Sequence, residues 1–156
     1  MTGSGYKRLK RRQCAGSIAG VYRAERAVCL PCPLFAARVP AGFPSPADDY
    51  VDERLDLNEL LIRHPAATFF VRVAGDSMTG AGIHAGDVLI VDRTVTPRSQ
   101  SIIVAALEGE LMVKRLVREK GRVLLVSENA AYPPLDVTGR SDFEVWGVAV
   151  HVIHRL

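Results

Sequence analysis

Between Thr68 and Ile153 the apolar residues fall into short runs with β-branched and aromatic character: TFFVRV (68–73), VLIVD (88–92), IIVAAL (102–107), ELMVKRL (110–116), VLLVS (123–127) and FEVWGVAVHVI (143–153). Turn-forming positions separate them, at Gly75, Gly80 with Gly82, Gly86, Gly109 and Gly121. Six short strands at this spacing predict a mainly β fold of barrel or sandwich type. Upstream, the stretch VDERLDLNELLIRHP (51–65) changes period: Val51, Leu55, Leu60 and Leu61 approximate a helical stripe, Asp48 and Asp49 suit its start, and Pro65 stops it. Residues 33–50 carry Pro33, Pro40, Pro44 and Pro46, which predicts an extended linker. Before them only Ile18, Val21 and Val28 form a weak apolar cluster, and the segment reads as a flexible arm.

Composition adds limits to this pattern. A chain of 156 residues, 48% hydrophobic and 24% charged, suits one folded core with a tail and excludes a wholly disordered protein. Its formal charge of +3 conceals two unlike regions, because residues 1–26 carry seven Lys/Arg against Glu25 alone. The remainder is therefore net acidic, which weighs against direct nucleic-acid binding by the folded domain. Cys14, Cys29 and Cys32 are odd in number and cannot close a disulfide framework, so a reducing compartment is expected. Cys29 and Cys32 have CxxC spacing but no second ligand pair, and read as incidental thiols; no metal or cofactor is expected. No apolar run approaches the roughly 18 residues a membrane span requires, and the basic start leads into no signal peptide, so the chain reads as soluble and cytoplasmic.

Two residues stand out chemically. Ser77 follows a strand directly, in a turn flanked by Gly75, Gly80 and Gly82. Such a turn can expose a hydroxyl and aim neighbouring N–H groups at one point, although Gly/Asp/Ser clusters are also ordinary turn composition. None of His64, His84, His151 and His154 forms an evident Ser-His-Asp set, and all read as structural or surface residues. In ELMVKRL, alternation puts Lys114 on one strand face with Met112 and Leu116. A lysine acts as a general base only when neutral. Its pKa must fall from about 10.4 by roughly 3.4 units, about 4.6 kcal/mol, which burial can supply. A lysine whose stem lies on the strand and whose head reaches water is the plainer reading of the same pattern.

Taken in order, the segments GFPSPADDYVDERLDLNELLIRHPAATFFVRVAGDSM, GDVLIVD, VAALEGELMVKRL, SENAAYPPL and FEVWGVAVHVIH resemble the LexA/UmuD-like family of self-cleaving serine peptidases. The resemblance covers roughly residues 33–154 and implies a β-barrel or sandwich peptidase domain with a flexible N-terminal arm. It further implies that Ser77 of GDSM is the nucleophile, that Lys114 of VKRL is its base, and that the cut falls between Ala41 and Gly42. Residues 1–41 would then be removed, leaving residues 42–156 as the processed domain. Implied partners are a RecA filament on single-stranded DNA as activator, a second copy in a homodimer, and a UmuC-type translesion polymerase. The processed domain holds twelve Lys/Arg against sixteen Asp/Glu, so direct DNA contact is not its expected role.

One departure from the resemblance concerns Gln100-Ser101, where relatives usually carry Gly-Asp before the strand leading to Lys114. It predicts strain at a left-handed position and loss of a local hydrogen bond. Two other readings stay open on sequence grounds: a LexA-like repressor using the basic arm on its operator, and an accessory subunit whose Ser/Lys pair is inactive. A membrane signal peptidase shares the Ser/Lys logic, but the sequence offers no membrane segment.

Overall fold

Alternation at period two gives β strands a face for each side of a sheet, and strands apolar on both faces must be covered on both. The computed structural model describes residues 18–23, 32–35 and 51–156, with backbone only for residues 32–35 and 51–54. Its elements are β1 (Ile18–Arg23), β2 (Cys32–Phe35), β3 (Val51–Leu55), α1 (Leu57–Leu61), β4 (Thr68–Val73), β5 (Val88–Asp92), β6 (Ile102–Leu107), β7 (Glu110–Glu119), β8 (Arg122–Val126), β9 (Leu135–Asp136) and β10 (Phe143–Ile153). Eight of the strands form one antiparallel sheet in the order β1-β4-β5-β10-β6-β7-β8-β9, and β2 pairs with β3 separately. The sheet curls, since β1 also approaches β7.

Strand β10 makes the bend. Its first half pairs with β6 and its second half with β5, with irregularities between Val145 and Gly147 and between Ala149 and His151. Extra residues of this kind increase local twist and turn a sheet corner. The continuous apolar run of β6 follows from the curl. Val104 joins one core cluster with Val71, Met78, Leu89, Val91 and Val113, while Ile103, Ala105 and Leu107 join another with Leu116, Leu125 and Val148. Neighbouring residues thus fill opposite sides of one strand.

The six strands expected from the sequence are all present, with β7 running on to Glu119 and a two-residue strand, β9, added. The helix expected over 51–65 is corrected. Val51–Leu55 is a strand paired with β2, and only Leu57–Leu61 is helical. Asp56 sets the boundary by taking extended geometry and accepting the Asn58 N–H at 2.8 Å, which caps the helix one residue after the strand ends. The helix ends at Leu61, before Pro65, which begins a short 3-10 turn rather than stopping the helix. Within the segment expected as an arm, β1 pairs along β4 and Ile18 packs against the core cluster of Val71 and Val73. Ala41, Gly42, Cys14 and Cys29 lie outside the described residues. Among those described, no helix is long and apolar enough to cross a membrane.

Buried carboxylates fix both ends of β5. Asp87 accepts the His84 backbone N–H at 2.8 Å and lies 2.8 Å from His154 Nδ1; Asp92 lies 2.6 Å from His64 Nδ1 and accepts the Thr94 backbone N–H at 2.7 Å. Burial pushes both carboxyls up, but these bonds, with that from the Thr94 hydroxyl to Asp92, outweigh it and hold both below their ordinary value. A carboxyl whose pKa is lower in the fold stabilises above its unfolded value, and that stability disappears as pH falls through the folded value. Acid unfolding is therefore expected below the ordinary carboxylate range, with a shallower pH dependence there for Asp92→Asn, as followed by circular dichroism.

The turn before β6 answers the question raised by Gln100-Ser101. Gln100 takes φ 76°, so the strain expected at this position is present. It is held there because its N–H donates to the Leu116 carbonyl at 2.7 Å and its own carbonyl accepts from Arg115 Nη1 at 2.7 Å. Ser101 Oγ accepts the Arg98 N–H at 3.1 Å and so still supplies a local acceptor in this turn. A left-handed non-glycine residue costs about 1–2 kcal/mol, and glycine gives back part of that gain through a freer unfolded chain. Gln100→Gly should raise stability by about 0.5–1 kcal/mol, read as a higher urea midpoint at unchanged m-value.

Candidate active site

The turn after β4 carries Ser77 into the protein. Gly75 takes φ 95°, which bends the chain where an ordinary side chain would be strained. Met78 is then only 1% exposed within the core cluster that also holds Val113. Ser77, between exposed Asp76 and buried Met78, is 3% exposed. The following residues close a short 3-10 turn, with Thr79, Ala81 and Gly82 donating to the carbonyls of Asp76, Met78 and Thr79. The N–H groups of Asp76, Ser77 and Met78 donate to no partner among the described residues. They are adjacent donors beside one hydroxyl.

Lys114 lies on β7 between Ile103 of β6 and the end of β8. It is 7% exposed, and burial holds its amine below the ordinary lysine pKa. The face alternation expected for β7 is present: Leu111 and Val113 pack against one core cluster, Met112 and Leu116 belong with the other. The lysine as a whole is buried rather than exposed. Nζ donates to Ser127 Oγ at 2.7 Å and stands 5.6 Å from the centre of the Tyr132 ring. Arg115↔Val126 is the last register pair toward this end, so Ser127 lies one step beyond it, across from Lys114.

Residues 127–132 connect the two positions. Gly80 N–H donates to the Glu128 carbonyl at 2.7 Å, Asn129 Nδ2 donates to the Asp76 carbonyl at 3.1 Å, and the Tyr132 hydroxyl donates to Asp76 Oδ1 at 2.5 Å. That bond to Asp76 raises the Tyr132 pKa first, burial second, so the phenol remains a neutral donor. Glu128 is fixed in turn by an ion pair with Arg115. One segment therefore touches the lysine through Ser127 and Tyr132, and the serine turn through Glu128, Asn129 and Tyr132. Met78 and Val113, the neighbours of Ser77 and Lys114, share one core cluster. No direct hydrogen bond joins Ser77 Oγ and Lys114 Nζ in this structure.

The histidines stand apart. His64 and His154 bind the β5 carboxylates, and the His84 ring lies 5.4 Å from that of His154. None of the four hydrogen-bonds Ser77. Among the described residues no group of three or more His, Cys, Asp or Glu is placed to hold a metal ion. Sequence reasoning assigned no role to Ser127, Asn129 or Tyr132. The available signal was a polar run, SENAAY, directly after an apolar strand, which ordinary turn composition also produces.

Comparison with known proteins gives concordant matches. The family model described as Peptidase S24-like matches residues 33–150. Protein SamA of Salmonella typhimurium is 49% identical over 123 residues, covering 79% of this chain and 85% of that protein. Protein MucA of Escherichia coli is 43% identical over 120 residues, with 76% and 82% covered. The LexA repressor of Ectopseudomonas mendocina is 40% identical over 119 residues, covering 76% of this chain but 58% of the repressor.

Proposed function

This chain belongs to the Peptidase S24-like family, and from that premise we propose that it is a serine endopeptidase that cuts its own Ala41–Gly42 bond. Ser77 is the nucleophile and Lys114 the general base. Neutral Lys114 accepts the Ser77 proton as Oγ attacks the Ala41 carbonyl. The N–H groups of Asp76, Ser77 and Met78 are the donors for the oxyanion. The lysine ammonium then gives its proton to the Gly42 nitrogen as the C–N bond breaks. Water, deprotonated by the same amine, hydrolyses the acyl-serine and restores both residues. Placing nucleophile and substrate in one chain replaces a bimolecular encounter with a conformational step, so occupancy of the site by the arm sets the rate.

The observation that carries this reading is the buried, depressed-pKa amine of Lys114 tied by residues 127–132 to a turn that offers Ser77 and uncommitted N–H groups. The missing direct Ser77–Lys114 bond is compatible with it, since catalytic hydrogen bonds tighten when substrate enters. Identity is higher to SamA (49%) and MucA (43%) than to the LexA repressor (40%). This favours an accessory protein over a repressor. In the cytoplasm, a RecA filament on single-stranded DNA would promote cleavage, and the processed homodimer would serve a UmuC-type polymerase in damage-induced mutagenesis.

The purified chain, incubated over rising pH with and without RecA filaments, should yield a 115-residue fragment starting at Gly42, identified by mass spectrometry. Ser77→Ala should remain intact. A wild-type chain that stays whole in every condition would establish the inactive-subunit reading instead.

A further inference from the structure

A neutral amine that serves as a base must point its lone pair at the proton it receives. Lys114 has four rotatable side-chain bonds, so burial alone leaves that direction undetermined. Resting on the Ser77/Lys114 reading above, we infer that Ser127 is a positioning residue, which fixes the orientation of the Lys114 amine and the pH at which it becomes a base. The hydroxyl oxygen of Ser127 lies 2.7 Å from Nζ, across the β7–β8 pairing, on a strand end held by the β8 ladder. A neutral amine has two N–H bonds and one lone pair. With one N–H committed to Ser127 and the Tyr132 ring face 5.6 Å away as a weak acceptor for the other, the lone pair has one remaining direction.

The surroundings make Ser127 the dominant polar contact. From β6 the lysine meets Ile103, and its neighbour on β7, Arg115, is engaged by Glu128 and the Gln100 carbonyl. On the segment after β8, Glu128 is thus committed to Arg115, and the Tyr132 hydroxyl is committed to Asp76 of the serine turn. None of these groups takes a hydrogen bond from Nζ. Ser127 Oγ does, and it accepts from the ammonium more strongly than from the neutral amine. The residue therefore counters part of the burial effect, and its removal should move the lysine toward an even lower pKa.

The test compares wild type, Ser127→Ala and Ser127→Thr in two measurements. Self-cleavage across pH is expected to show a plateau about tenfold lower for Ser127→Ala and an alkaline midpoint shifted down by up to about one pH unit, with Ser127→Thr restoring both. The Lys114 side chain is also titrated by NMR on a Ser77→Ala background, where no cut can occur, and should show the same downward shift on loss of the Ser127 hydroxyl. Wild-type plateau, midpoint and titration in Ser127→Ala would overturn the inference, as would a change confined to melting temperature. If the wild type never cuts yet the Lys114 titration still depends on Ser127, the hold on the amine stands and the peptidase reading falls.

Discussion

Lys114→Met is expected to slow self-cleavage about 10³-fold while making the folded chain more stable. The two effects have one cause. Lys114 is 7% exposed, and burial disfavours its charged form. In the proposed chemistry only the neutral amine accepts the Ser77 proton. The wild-type rate should therefore climb about tenfold per pH unit below the folded lysine pKa and level off above it, while Lys114→Met should show no such rise. For stability the substitution acts in the opposite direction. The unfolded chain binds the lysine proton more readily than the folded chain, so wild-type stability increases with pH between the folded and the ordinary lysine values. Methionine fills similar space without a charge. At pH 7 it should add about 1–2 kcal/mol, the order of cost of a poorly compensated buried polar group, and the gain should shrink toward alkaline pH. Urea melts and cleavage rates on the same samples give both readouts. Equal cleavage by Lys114→Met and wild type would remove Lys114 from the mechanism.

Gly80→Ala should damage both the fold and the reaction by separating the serine turn from the segment that holds the lysine. A Cβ at this position would stand 2.5 Å from the Glu128 carbonyl oxygen, a backbone atom that no side-chain rotation can move. The same oxygen accepts the Gly80 N–H at 2.7 Å. The substitution forces the two segments apart and breaks that bond, for an expected loss of about 2–4 kcal/mol and a cleavage rate at least about tenfold lower even where the protein remains folded. Gly109→Ala is the matching control. Gly109 has φ 78° with nothing near its absent Cβ, so alanine there costs only about 1 kcal/mol of backbone strain and leaves cleavage unchanged. Loss of cleavage in both variants at matched folded fraction would mean that the Gly80–Glu128 contact has no particular role.

Much of the fold is written locally. Runs such as VLIVD and IIVAAL, bounded by glycine turns, have no other economical use than strands covered on both faces, and the structure places them so. The segment 51–65 misled because its apolar spacing fits a helical period. Pairing of Val51–Leu55 with Cys32–Phe35, residues far away in the chain, overrode it. Strand β1 was equally hidden: IAGVYR has little pattern of its own, and its place comes from the open edge of β4. Gln100 lies between these cases. Its strained geometry follows from its turn, but the bonds from Arg115 and to the Leu116 carbonyl that hold it are tertiary.

The same division runs through the site. Sequence alone determined that Ser77 sits in a glycine-flanked turn after a strand, that Lys114 shares a strand face with Met112 and Leu116, and that positive charge is concentrated before the acidic domain. These are properties of short windows, where period and composition suffice. Tertiary structure decided that Lys114 is buried and paired with Ser127, that Tyr132 reaches both the lysine and Asp76, and that Gly80 meets the Glu128 backbone. Those contacts join residues 13 to 56 positions apart. Desolvation and hydrogen-bond geometry arise only when the curled sheet brings such distant segments together, which is why a lysine that reads as ordinary along the chain is buried with a lowered pKa in the fold.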